Sequence, residues 1–120
     1  MNPDKKRILI VDDEEQVLKI LRTSLTTYEV ETSLTGKEAL SKIKMAKPDL
    51  ILLDILLGKE DGIDVLKQIK ELDKSIPVVM VTALHDNEEG KRAFAAGAAD
   101  YITKPIDFDY LKKVLLFQLL

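Results

Sequence analysis

Apolar residues fall into two rhythms along the chain. Unbroken runs at Arg7 to Val11 (RILIV), Leu50 to Leu53 (LILL) and Ile76 to Val81 (IPVVMV) show no polar alternation, so each predicts a strand covered on both faces. Glu29 to Ser33 is weaker and predicts a strand nearer the sheet edge, and Asp100 to Thr103 predicts a short fifth strand. Between these runs the spacing is helical. Leu18, Leu21 and Leu25 form one stripe over Glu14 to Thr27, with Val17, Ile20 and Ser24 beside it. Thr35-x-x-Glu38 is a capping box opening a helix to about Ala46 with Ala39, Leu40 and Ile43 inward, and Pro48 prevents its continuation. Ile63, Leu66 and Ile69 mark a helix over Asp61 to Leu72. Asp86-x-x-Glu89 opens a small-residue helix over Glu88 to Ala96, ended by Gly97, and Asp107 caps a last helix.

The pattern is a strand followed by a helix, repeated five times with short connections. It predicts an α/β fold: a parallel sheet with helices on both faces, joined by right-handed crossovers. For five such units the expectation is a flavodoxin-like three-layer sandwich with strand order 2-1-3-4-5. A chain of 120 residues is long enough to bury one core, and residues 1–120 read as a single domain without linkers or repeats.

Composition narrows the class. The formal net charge of −3 argues against a nucleic-acid surface built on bulk positive charge. The absence of cysteine excludes a disulfide framework and a thiolate metal site, which suits a reducing cytoplasm. The apolar run behind Lys5-Lys6-Arg7 is too short for a signal peptide, and no stretch approaches a membrane span.

In such a sheet every strand ends on one rim. Asp12 and Asp13 follow the first run, Asp54 the third, Thr82 the fourth and Lys104 the fifth. Carboxylates gathered this closely repel each other unless a cation lies among them, and hard oxygen donors suit Mg²⁺.

These residues resemble those of a response-regulator receiver domain, the phosphoacceptor of two-component signalling. The match rests on Asp12-Asp13, Asp54 after its leucine run, Asp61-Gly62, Thr82-Ala83 and Lys104-Pro105, and spans the chain from Arg7 onward. The resemblance implies that Asp54 accepts a phosphoryl group from a phosphohistidine. It also implies that Asp13, Asp54 and the Leu56 carbonyl ligate Mg²⁺ (or Mn²⁺), with Asp12 acting through a bound water. Thr82 and Lys104 then grip phosphoryl oxygens, a cis Lys104-Pro105 bond aims the ammonium, and Thr82 with Tyr101 switches the surface of the fourth helix, fifth strand and fifth helix. The expected class is a signalling domain of the cytoplasm rather than an enzyme acting on external substrates.

The resemblance is imperfect at three places. Gly58 stands where receivers commonly carry proline, which implies a more mobile loop from Leu56 to Asp61. Leu56 and Leu84 flank the expected phosphoryl site without a polar group to orient water, which implies slow autodephosphorylation. His85, the single histidine, reads as a solvated loop residue. Two rival functions fail on the site. A flavin or nucleotide binder needs a phosphate cradle where this chain has Asp-Asp-Glu-Glu, and a haloacid-dehalogenase-type phosphatase needs an acid where Leu56 stands.

Partners follow from unpartnered apolar positions. Val17, Ile20 and Ser24 with Ile106 form an expected docking strip for a sensor histidine kinase or phosphotransfer protein. Within VLLFQLL, residues Leu116, Phe117 and Leu120 cannot all enter the core with Leu111, Val114 and Leu115. They are expected to meet a second copy or a C-terminal output domain of a longer regulator. Neither a membrane nor direct nucleic-acid binding by this domain is expected.

Overall fold

The computed structural model describes residues 4–83 and 86–120. The expectations for Leu84 and His85 lie outside the described residues. Five parallel strands form the central sheet: β1 (Arg7–Val11), β2 (Glu29–Ser33), β3 (Leu50–Leu53), β6 (Val78–Thr82) and β7 (Asp100–Thr103). Their spatial order is β2-β1-β3-β6-β7, the flavodoxin-like order once the five are counted in sequence. Register is set by pairs such as Ile10 with Leu52 and Leu53 with Met80.

Period-two alternation divides the runs between two cores. Leu9, Val11, Ile51 and Leu53 face one side; Ile8, Ile10, Leu50 and Leu52 face the other. The first side is covered by α2 (Gly36–Met45), α3 (Gly62–Leu72) and α4 (Asn87–Ala95), through Ala39, Ile43, Ile63, Leu66, Ile69 and Ala93. The second is covered by α1 (Glu15–Ser24) and α5 (Phe108–Gln118), through Leu18, Leu21, Leu111, Val114 and Leu115. Each buried Leu or Ile stabilises the fold by roughly 1.5–3 kcal/mol relative to exposure, so these two layers are the main favourable term.

Each expected cap residue holds a first-turn amide, although Asp86 takes that of Glu88 rather than that of Glu89. Thr35 accepts a hydrogen bond from the Glu38 amide, Asp86 from Glu88, and Asp107 from Tyr110. Two boundaries move by more than one residue. Helix α1 ends at Ser24 rather than Thr27, because Leu25 leaves helical conformation (φ −102°, ψ 53°). Strand β6 starts at Val78, since Pro77 has no amide to place in the ladder.

The segment expected as a mobile loop after Asp54 is a hairpin. Strand β4 (Leu56–Leu57) pairs antiparallel with β5 (Glu60–Asp61), Leu56 opposite Asp61 and Leu57 opposite Glu60. Gly58 takes φ 60° at the first of the two turn positions, the glycine placement of a type II′ turn. A glycine can thus close this segment where the family commonly uses proline.

Candidate functional site

The site forms on the rim where β1, β3, β6 and β7 end. Asp12 and Asp54 are each 3% exposed, a degree of burial that carboxylates rarely reach without a partner. Their partner is Lys104. Its Nζ lies 2.8 Å from Asp12 Oδ2, 2.9 Å from Asp54 Oδ2 and 3.3 Å from Glu14 Oε1. The Lys104-Pro105 peptide is cis, as the resemblance implies. The Lys104 amide donates to the Thr82 carbonyl at 2.7 Å, tying the end of β7 to that of β6.

Local turns fix the acids. Asp12 Oδ1 accepts from the Glu14 amide at 2.9 Å, and Asp54 Oδ1 accepts from the Leu56 amide at 3.0 Å. Each buried carboxylate therefore has one oxygen on the backbone two residues ahead and the other on Lys104. Beyond Asp54 the chain closes on itself, with the Gly62 amide donating to the Ile55 carbonyl at 2.6 Å. A Cβ at Gly62 would collide with the Asp54 carbonyl, so the close approach requires glycine.

Burial pushes the Asp12 carboxyl above its ordinary value, and the nearby Asp54 charge adds to that; hydrogen bonds from Lys104 and the Glu14 amide oppose it. Burial also works against the Lys104 charge, but the hydrogen bonds to Asp12 and Asp54 outweigh it and hold the ammonium above its usual range. Burial raises the Tyr101 hydroxyl, and the carboxylates of Glu89, Asp86 and Asp54 raise it further.

Asp12, Asp13, Glu14 and Asp54 present carboxylate oxygens within 4.8 Å of one another. Four hard anionic donors gather there, three of them in contact with the Lys104 ammonium, and the set fits a divalent cation such as Mg²⁺. Glu14 is the member that sequence reasoning missed. Its signal was its place as the third acid of the run ending β1, where it reads equally as a helix-opening residue.

The other expected residues are placed as follows. Thr82 is fully buried at the end of β6. Tyr101 is half-buried, packed against the core, and lines a groove of about 510 Å³ with Phe94 and Asp86. Val17, Ile20 and Ile106 line an almost wholly apolar groove beside Lys104 and Pro105. Ser24 is not part of that groove; it lines a separate one with Leu116. On α5, Leu111, Val114 and Leu115 are buried, while Leu116 and Phe117 are 63% and 72% exposed and Leu120, beyond the helix, is 98% exposed. Among the described residues no helix is long and apolar enough to cross a membrane.

The family model described as the response regulator receiver domain matches residues 8–116. The chain belongs to that family. It is 43% identical over 102 residues to the alkaline phosphatase synthesis transcriptional regulatory protein PhoP of Bacillus subtilis, covering 83% of this chain and 42% of that protein. It is 38% identical over 117 residues to the transcriptional regulatory protein ZraR of Escherichia coli, covering 96% of this chain and 26% of that protein. The receiver thus spans less than half the length of these curated relatives. Among solved structures, a CheY-like response regulator receiver domain protein from Methanospirillum hungatei superposes with a TM-score of 0.88 at 35% identity, covering 96% of this chain and 94% of that one. A two-component response regulator from Clostridium difficile gives 0.92 at 27% identity, covering 96% of each chain. Receiver domains of this family are signalling domains of two-component systems.

Proposed function

We propose that this receiver takes a phosphoryl group from the phosphohistidine of a sensor histidine kinase or phosphotransfer protein onto Asp54. The observation that carries this reading is the buried Asp54 carboxylate at a strand end, held by Lys104 in a cluster where acids outnumber the ammonium four to one. An Asp54 carboxylate oxygen attacks phosphorus, the P–N bond breaks with its electron pair passing to the imidazole nitrogen, and an acyl phosphate forms. Asp13, Asp54 and the Leu56 carbonyl would hold Mg²⁺ or Mn²⁺, with Asp12 acting through water, and the ion would supply charge neutralisation for the phosphoryl oxygens. Lys104 then turns from the carboxylates to a phosphoryl oxygen, as a point charge on a flexible stem.

The same reading gives the switch. Phosphorylation adds nearly two negative charges beside Asp54, the Thr82 hydroxyl turns toward them, and Tyr101 moves further into the sheet edge. Its present half-buried position beside the groove leaves it that path. The surface of α4, β7 and α5 then reports the state to a partner. The apolar groove of Val17, Ile20 and Ile106 beside Lys104 is the docking face for the phosphodonor. Residues 1–120 act as one receiver domain and, given the length of its relatives, as the N-terminal part of a longer cytoplasmic regulator. The exposed Leu116, Phe117 and Leu120 meet a second copy or that output domain. If the partner is a second copy, Phe117→Glu with Leu120→Glu converts a phosphorylated dimer to monomer in sedimentation analysis; a sedimentation profile unchanged by the pair removes this surface from dimerisation.

The decisive experiment is intact-protein mass after incubation with Mg²⁺ and acetyl phosphate, with Asp54→Asn in parallel. The expected result is a gain of one phosphoryl group that is absent without Mg²⁺ and absent in the variant. Equal gain in Asp54→Asn moves the acceptor elsewhere, and no gain in either protein overturns the reading for small donors.

A further inference from the structure

We propose that Glu60 is a positioning residue for the turn that carries the Leu56 carbonyl, acting by fastening the β4–β5 hairpin to the first turn of α2. This rests on the reading above, in which the Leu56 carbonyl is a metal ligand.

The hairpin is too small to hold its own shape. It has two residue pairs, and ladders of that size are at best marginal in water without outside contacts. Leu57, 3% exposed within the core, pins one strand. The other strand is pinned by polar contacts on two sides. On one side, the Gly36 amide donates to Glu60 Oε1 at 2.9 Å. On the other, Asp61 Oδ2 lies 3.2 Å from the Arg92 guanidinium of α4, while Asp61 Oδ1 accepts from the Ile63 amide and caps α3.

The Glu60 contact is made where an anion is best received. The first amides of a helix have no partner within it, and the α2 dipole favours negative charge at that end. Thr35 takes the Glu38 amide and Glu60 takes the Gly36 amide, so two first-turn donors are satisfied from different parts of the chain. The approach is close. A Cβ on Gly36 would stand 2.7 Å from Glu60 Oε2 and 2.5 Å from Val65 Cγ2 of α3, so a side chain there must displace the Glu60 carboxylate that holds the hairpin. Glu60 pairs with Leu57 and its neighbour Asp61 pairs with Leu56, so holding Glu60 sets where the Leu56 backbone lies relative to Asp54. The Leu56 amide already donates to Asp54 Oδ1, and a shifted hairpin moves both groups.

The test is calorimetric Mg²⁺ titration of wild type, Glu60→Ala and Glu60→Gln, with phosphorylation rates from acetyl phosphate at saturating Mg²⁺. Glu60→Ala deletes the acceptor, while Glu60→Gln keeps an amide oxygen for Gly36. Glu60→Ala is expected to weaken Mg²⁺ binding by about fivefold, below the ~10-fold lower bound for groups that touch a ligand directly, with Glu60→Gln within about twofold of wild type. Because the shift also moves the amide that holds Asp54 Oδ1, Glu60→Ala is expected to slow phosphorylation at saturating Mg²⁺ as well, and Glu60→Gln is not. Gly36→Ala, acting from the opposite side of the contact, lowers affinity in the same direction. Unchanged Mg²⁺ affinity in Glu60→Ala overturns the inference alone. Equal weakening in the Ala and Gln variants also overturns it, since the carboxylate's field rather than its bond to Gly36 is then responsible. A wild type that binds no Mg²⁺ overturns the functional reading itself and this inference with it.

Discussion

The two rims of the sheet carry the same kinds of charged residue and use them in opposite ways. At the rim where strands begin, Arg7 donates to the Lys47 carbonyl at 3.0 Å and pairs with Glu31 at 3.3 Å, and its amide donates to Asp49. Nearby, Lys47 pairs with Asp73 at 3.0 Å. Here cations and anions meet in near balance, with Glu31 half exposed between Arg7 and Lys42. At the rim where strands end, Lys104 is the one cation among the described residues that serves Asp12, Asp54 and Glu14, with the two aspartates buried. Balanced pairs tie loops together. An unbalanced cluster, with two of its four acids buried, instead carries excess negative charge that a cation can neutralise.

The sharpest way to break this comparison is to delete the cation at each rim and measure urea unfolding without metal. Lys104→Met leaves two buried carboxylates without their counter-charge and is expected to cost about 3 kcal/mol, with Mg²⁺ restoring much of it. Arg7→Met is expected to cost no more than about 1 kcal/mol, with no response to Mg²⁺. Equal losses at both rims would show that the charge imbalance is not a property of the folded site.

Titration offers a smaller contrast of opposite sign. The Asp12 carboxyl is raised above 3.8 by burial, so its contribution favours folding below that pH and is lost as pH rises through the folded value. Metal-free Asp12→Asn should therefore unfold at a higher temperature than wild type at about pH 7, the gap narrowing toward about pH 4. Asp73 is held down at about 2 by the Ser75 hydroxyl first and then by Lys47 and the Ser75 amide. Its contribution is present above 3.8 and lost as pH falls through about 2, so Asp73→Asn should be the less stable protein until wild type joins it there. Gaps of the same sign at both sites would dissolve the distinction between the rims.

Most of the architecture was legible because buried parallel strands need unbroken apolar runs and amphipathic helices need a stripe. LILL at β3 and the Leu18, Leu21, Leu25 stripe leave little freedom. The β4–β5 hairpin was not legible. Its strands are two residues long, too short for alternation, and Gly58-Lys59 lacks the Asn-Gly or Asp-Gly signature of a tight hairpin. At the site, Asp12, Asp54, Thr82 and Lys104 stood out because each ends a strand. Glu14 was hidden because an acid before a helix has an ordinary reason to be there. Glu60 and Arg92 were hidden because their partners, Gly36 and Asp61, lie 24 and 31 residues away with no spacing rule to link them.

The reach of Lys104 has a consequence for how the chain comes into being. It meets Asp54 across 50 residues and Asp12 across 92, so the two acids leave the ribosome long before their shared ammonium does. Closing a contact over such a separation is a late event, rewarded only after the intervening strands have paired. Until β7 docks, the nascent protein holds these acids without the lysine that pairs them. On the proposed reading, competence to receive a phosphoryl group is therefore acquired only with the last strand.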